Sequence, residues 1–110
     1  MMIGTHKTKV FKTKDDFTIV KYQKTEVVKF DGNHIILNTG GWCYNTTKNR
    51  MNQTSLKFDL GYHIFQKDFE WFIVFNNKKY LMYETTVINR KTKSVYDLES
   101  GQSLEIGGNK

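Results

Sequence analysis

The stretch Phe17-Thr18-Ile19-Val20-Lys21-Tyr22-Gln23-Lys24-Thr25-Glu26-Val27-Val28-Lys29-Phe30-Asp31-Gly32-Asn33-His34-Ile35-Ile36-Leu37-Asn38-Thr39 alternates apolar and polar side chains with period two. Alternation of that kind marks half-buried strands, so three are predicted, over 17–22, 25–31 and 34–39. Register follows from the turns. Gly32-Asn33 at the tip, with glycine at the first central position of a type II′ turn, pairs Phe30 with Ile35 and Val28 with Leu37. The alternative turn sets Phe30 against Asn33, an apolar side chain against a polar one, and is the poorer choice. With Gln23-Lys24 as the other tip, Phe17 meets Phe30, Ile19 meets Val28 and Lys21 meets Glu26, placing six apolar side chains on one face. Gln23-Lys24 lacks the Gly or Asn that a tight turn prefers, which leaves a longer loop as the alternative there.

A second meander is predicted downstream, with strands over 62–66 and 69–75 flanking Lys67-Asp68, and a third over 78–88 after Asn76-Asn77. Asparagine tolerates positive φ, and this turn aligns Ile73 with Tyr80 and Trp71 with Met82 on one face, Phe72 with Leu81 on the other. Both faces of 69–75 are apolar, so that strand is expected to be central, covered on one side by a helix and on the other by the first meander or a partner chain, as in a homodimer. Between the meanders the alternation stops, and 46–60 reads as a helix on which Met51, Ser55 and Phe58 share a stripe. Thr46 or Thr47 is the expected N-cap and Gly61 the expected left-handed C-cap. Near the end, 91–94 reads as a loop, 95–98 and 103–106 as a short hairpin about Ser100-Gly101, and 107–110 as frayed. The expected fold is α+β: two antiparallel meanders of six or seven strands with one helix packed on the sheet.

At 110 residues the chain is expected to form one domain, and its 38 % hydrophobic content supplies one core. No run approaches the roughly 18 apolar residues of a membrane span, and Met1-Met2-Ile3-Gly4-Thr5-His6-Lys7 has no apolar block like that of a signal peptide. The expected location is therefore cytoplasmic, with no membrane partner. One cysteine, Cys43, rules out an intramolecular disulfide, and His6, His34 and His63 lack zinc-site spacing, so neither metal nor other cofactor is expected. The formal charge of +6 is uneven. Residues 1–14 form a basic arm of +4 through Lys7, Lys9, Lys12 and Lys14; 15–45 sum to −1, 46–93 to +5 and 94–110 to −2. Clustered positive charge favours encounter with an anionic partner, although solubility alone also explains it.

The constellation that carries chemistry is Asn38-Thr39-Gly40-Gly41-Trp42-Cys43-Tyr44-Asn45 followed by the helix start Thr46-Thr47-Lys48-Asn49-Arg50. A helix start presents unpaired N–H groups and partial positive charge, glycines permit close backbone approach, and Lys48 and Arg50 add charge-assisted hydrogen bonds. Trp42 and Tyr44 are placed to stack a base. The candidate anion or nucleic-acid site thus comprises Trp42, Tyr44, Thr46, Thr47, Lys48 and Arg50 with Lys7, Lys9 and Lys12 from the arm. The competing reading makes Gly40-Gly41 a strand-ending turn, Thr47 an ordinary cap and Trp42 a core residue. Cys43 with His34 or His63 has no acidic orienter, so no catalytic residue is assigned and the chain is read as a non-enzyme. Asp15-Asp16 supplies too few oxygens for a hard cation, and the cluster Phe69, Trp71, Phe72, Phe75, Tyr80 and Tyr83, a stacking platform in composition, reads as core with at most one or two members exposed.

Ile35-Ile36-Leu37-Asn38-Thr39-Gly40-Gly41-Trp42, Thr46-Thr47-Lys48-Asn49-Arg50-Met51-Asn52-Gln53, Leu60-Gly61-Tyr62 and Gln66-Lys67-Asp68-Phe69-Glu70-Trp71-Phe72 together resemble a family of short uncharacterised bacteriophage-encoded proteins. The resemblance covers roughly 25–75, leaving the arm and the tail 89–110 outside it. It implies an accessory phage protein acting inside a bacterial host, in a class that includes nucleic-acid binders and antagonists of host defences such as CRISPR systems, and it supplies no catalytic residues. The expectation is a small phage protein binding nucleic acid through the basic helix start. The alternative is a protein-interaction module that inhibits a host anti-phage defence complex.

Overall fold

The computed structural model describes residues 3–41 and 44–106. Expectations that rest on Trp42, Cys43 or 107–110 lie outside the described residues. The fold is α+β, with nine strands and one helix among the described residues. In chain order these are β1 (Thr8–Lys12), β2 (Thr18–Tyr22), β3 (Thr25–Phe30), β4 (His34–Asn38), α1 (Asn45–Phe58), β5 (Tyr62–Lys67), β6 (Glu70–Phe75), β7 (Lys78–Leu81), β8 (Thr85–Asn89) and β9 (Val95–Asp97). A six-stranded antiparallel sheet has the order β1-β2-β3-β4-β8-β9, and β5-β6-β7 form a second sheet. One core cluster runs through both sheets and the helix, joining Val28, Ile35, Leu37 and Ile88 to Ile64, Ile73, Trp71 and Tyr80, with Met51 of α1 among them.

Phe30 faces Ile35 and Val28 faces Leu37, as the alternation predicts. The turn is of another kind. Gly32 is not in the left-handed region that a II′ turn requires. Instead Asp31 Oδ1 accepts from the amides of Asn33 and His34, both at 2.8 Å, and Asp31 N–H donates to His34 O at 3.0 Å. Burial acts to raise the Asp31 carboxyl and is outweighed by those two amide donors and the nearby charges of His34 and Arg90, so it lies below the usual carboxylate range.

At the β2–β3 end the two-residue tip Gln23-Lys24 does form, with Gln23 at φ +56 and Lys21 opposite Glu26. Beyond it the expected pairs of Phe17 with Phe30 and Ile19 with Val28 are displaced by one residue. Val20 faces Val28 and Thr18 faces Phe30, because Val27 is bulged out of the ladder. The bulge lets the adjacent pair Val27 and Val28 both be buried, which strict alternation forbids.

Ile73 pairs with Tyr80 and Phe72 with Leu81, as predicted. The run 78–88, however, is two strands. The chain leaves the second sheet after Leu81, and β8 inserts between β4 and β9, with Ile88 against Ile35 and Thr86 against Leu37. Thr86, Val87 and Ile88 are all buried, so β8 is the strand covered on both faces. β6 is covered on one face only: Trp71, Ile73 and Phe75 are buried while Phe72 is half-buried and Val74 exposed. The predicted C-terminal hairpin forms as a short one: Tyr96 bridges Ser103, Asp97 N–H donates to Gln102 O at 2.9 Å and Leu104 N–H to Val95 O at 3.0 Å, and the same segment bridges Tyr80 through Glu105, tying the two sheets together.

The helix starts earlier than read and stops earlier too. Its N-cap is Tyr44, with no side-chain cap bond, so Thr46 and Thr47 lie inside the first turn. Asp59, at φ 56 and ψ 50, is the C-cap in place of Gly61; aspartate tolerates the left-handed region, which ends the helix there. Thr47, Arg50, Met51, Thr54 and Ser55 are buried with Phe58 partly so, a complete i, i+3, i+4, i+7 stripe that is mostly polar. Being polar, most of it was invisible to an apolar-stripe reading.

A candidate anion-binding cleft

Five residues of the arm, Thr8–Lys12, form β1. Ile3 is buried in the core, and β1 pairs along β2 with Lys9 directly opposite Lys21. Gln23 N–H donates to Lys7 O at 2.8 Å, holding the β2–β3 tip against the start of β1. Thr25 opens β3 beside Gly40, where φ is +72 and a Cβ would stand 2.7 Å from Thr25 Oγ1, so only glycine lets the chain leave β4 this close to β3. The helix start then contributes Tyr44 and Thr47. Together these segments enclose an open cleft of about 840 Å³, whose lining residues include Lys7, Lys9, Lys21 and Lys24, Tyr22 and Tyr44, and several threonines.

No Asp or Glu is among the described residues lining it. Like charges directly opposite each other across a strand pair are destabilising, and Lys9 and Lys21 hold that arrangement. Glu26 faces Lys21 from β3 without lining the cleft, and among the described residues the two ion pairs are Lys12 with Asp16 and Lys78 with Glu105, neither involving the four cleft lysines. The first turn of α1 has no acidic residue and no side-chain cap, so the positive end of its dipole at Tyr44 adds to the same potential.

Arg50 stands behind the wall. It is 9 % exposed, its Nε donates to Thr8 Oγ1 at 2.9 Å and one terminal nitrogen to Gln53 Oε1 at 3.3 Å, and its guanidinium lies 6.0 Å from the Tyr22 ring centroid. No carboxylate pairs with it among the described residues. Thr8 and Tyr22 line the cleft, so this buried charge sits one side chain from it.

Of the residues singled out from sequence, Lys7, Lys9, Tyr44 and Thr47 converge in the cleft. Arg50 is buried against its wall instead of facing solvent, because the helix turns it inward toward Gly4 and Tyr22. Thr46 and Lys48 are half-buried on α1 outside the lining, Lys12 is tied to Asp16 at 3.1 Å, and Trp42 lies outside the described residues. The sequence reading missed Tyr22, Lys21 and Lys24. Pairing of β1 with β2 would have revealed them, but four of the five β1 residues are exposed and its sequence carries no amphipathic signal.

A second, smaller hollow of about 460 Å³ lies across the Thr39–Gly41 segment, with Phe69, Met82 and Tyr83 beside the carboxylates of Glu70 and Glu84. No helix of the described residues is long and apolar enough to cross a membrane.

The chain belongs to the Kyanoviridae Gp96 protein family, a bacteriophage family whose model matches residues 2–93. The match takes in the basic arm, which the sequence resemblance had left out, so all four cleft lysines fall inside it. No curated protein and no solved structure matches the chain.

Proposed function

We propose that this phage protein is a binding module for an anionic partner, that the partner is nucleic acid, and that it acts inside the infected bacterium. The observation that carries the reading is the gathering of Lys7, Lys9, Lys21 and Lys24 in one cleft without a carboxylate among its described lining residues. Lys9 and Lys21 stand directly opposite each other across β1 and β2, and like charges so placed repel one another, a standing cost that a polyanion removes on binding. The described lining residues include lysines, threonines and tyrosines and no histidine, which suits binding better than acid–base catalysis.

Fluorescence anisotropy of a labelled oligonucleotide tests this. Four phosphate contacts should make log K fall against log salt with a slope of about −3 for a single strand. Lys9→Gln with Lys21→Gln should roughly halve that slope, whereas Lys12→Gln with Lys48→Gln should leave it unchanged. A flat salt dependence, or no binding at low salt, would refute the proposal.

One observation favours a second reading, a module that contacts and inhibits a host defence complex. Phe69 is 97 % exposed and holds φ +67 at the β5–β6 tip, where Asp68 also has φ +53. A bulky aromatic in that conformation costs about 1–2 kcal/mol relative to glycine, and Asp-Gly is the preferred pair for such a turn. Phe69→Gly is therefore expected to raise stability by about 1 kcal/mol, read by thermal unfolding. On this second reading the same variant also loses a host protein that the native chain retains from nuclease-treated lysate. A destabilised variant would show that Phe69 serves the fold.

A further inference from the structure

We propose that the free edge of β1 is an interface and that its occupant is β1 of a second copy of this chain, running antiparallel and continuing the six-stranded sheet across a two-fold axis. β1 pairs with β2 alone and ends its sheet. At the two ends of that pairing Gln23 N–H donates to Lys7 O and Thr13 N–H to Phe17 O, each at 2.8 Å. Inward and outward backbone groups alternate along an antiparallel strand, so Lys9 and Phe11 also bond to β2, while the N–H and C=O of Thr8, Val10 and Lys12 point away from the sheet. Thr8 N–H is already taken by Thr5 O at 3.1 Å. Val10 and Lys12 thus hold an outward donor and an outward acceptor each, with no backbone partner among the described residues.

Only one two-fold register suits these groups. Val10 opposite Val10 asks Thr8 N–H for a bond that Thr5 holds, and Lys12 opposite Lys12 sets like charges face to face. Centred on Phe11, the pairing sets Val10 of each copy against Lys12 of the other, and all the outward donors and acceptors of both residues meet in four hydrogen bonds. No lysine then faces a lysine: Lys12 stands against Val10 and Lys9 against Thr13. Beyond Thr13 the chain turns through Asp15 and Asp16, so the same register brings those carboxylates alongside Lys7 of the other copy. Val10 and Phe11, adjacent and therefore on opposite faces, are 45 % and 42 % exposed. The pairing covers both, Val10 with the Lys12 stem and Phe11 with its own counterpart at the closely spaced, non-hydrogen-bonded position.

Sedimentation of the nucleic-acid-free chain over a concentration series is expected to show a monomer passing to a dimer. Lys12→Pro removes two of the four hydrogen bonds and should weaken the dimer about thirtyfold. In the isolated chain the Lys12 N–H faces away from β2, so the edge tolerates proline and circular dichroism should show the fold intact. Register is read by oxidation in a Cys43→Ser background: Phe11→Cys should link two copies, because facing positions of that kind lie within disulfide reach, whereas Lys9→Cys, on the same face but opposite Thr13, should not. A chain that stays monomeric at every concentration overturns the proposal and makes Lys9 and Lys12 guards that keep the edge unpaired. A dimer that Lys12→Pro leaves intact, or that links through Lys9→Cys in place of Phe11→Cys, assembles elsewhere and overturns it equally. Sedimentation and the cysteine pair keep the test decisive even if Lys12→Pro does not fold.

Discussion

Asn52→Leu is expected to lower the unfolding free energy by about 2–4 kcal/mol, by leaving two backbone groups without partners. β5 is an edge strand, paired with β6 on one side only. On its other side the helix takes the place of a strand. Asn52 Nδ2 donates to Ile64 O and Asn52 Oδ1 accepts from Ile64 N, each at 2.8 Å. One turn further on, Ser55 Oγ donates to Tyr62 O at 2.6 Å and accepts from Tyr62 N at 3.1 Å. Tyr62 in turn sends its buried hydroxyl back to Met51 O at 2.6 Å. Burial pushes that hydroxyl far above its ordinary range, so it stays a donor at every ordinary pH. Asn52→Asp keeps the shape and loses the amide donor, setting a carboxylate against a carbonyl. It should be nearly as damaging at neutral pH and partly relieved in acid, where the protonated carboxyl donates again. Urea titration reads both, as a lower midpoint at unchanged slope. A loss below about 0.5 kcal/mol, the ordinary range for surface substitutions, would mean that water serves the β5 edge as well as the helix does.

The same polar helix face explains what the sequence showed and what it concealed. Pairs such as Phe30–Ile35, Val28–Leu37 and Ile73–Tyr80 were legible because two apolar side chains at period two admit few registers. The helix was legible where it is apolar, at Met51 and Phe58, and concealed where Thr47, Arg50 and Thr54 fill its inner face. The Val27 bulge was hidden because strict alternation has no place for two buried neighbours. Departure of β8 from the second sheet was hidden because local pattern does not say which partner a strand will choose. In the cleft, charge was summed along the chain, and 15–45 came to −1. Folding sets Lys21 and Lys24 of that stretch beside Lys7 and Lys9 of the arm, while Asp31 turns its carboxylate to backbone amides at the opposite end of β3. Linear arithmetic averaged over a separation that the β1–β2–β3 meander creates.

Arg50 brings stability and binding into opposition, and two substitutions separate them. Arg50→Ala should cost about 2–4 kcal/mol, because it removes a long side chain packed against Gly4 and Tyr22 and the hydrogen bond that fastens Thr8 of β1 to the helix. Arg50→Met keeps most of the packing and discards a buried charge that no carboxylate balances among the described residues. Apolar replacement of buried charge is often neutral or stabilising, so its stability should fall within about 1 kcal/mol of the native value. Gln53 Oε1 still accepts from Gly4 N at 2.9 Å, and Thr8 Oγ1 still donates to His6 O at 2.7 Å, so neither partner is stranded. Affinity should behave differently. With the cation gone from behind Thr8 and Tyr22, oligonucleotide binding in Arg50→Met should weaken severalfold at low salt and converge on the native value as salt screens the field. If Arg50→Met were as unstable as Arg50→Ala, the guanidinium would be holding the arm to the helix through its hydrogen bonds, and its charge would need no ligand to account for it. If the variant were stable and bound oligonucleotide like the native chain, the lysines alone would set the potential of the cleft.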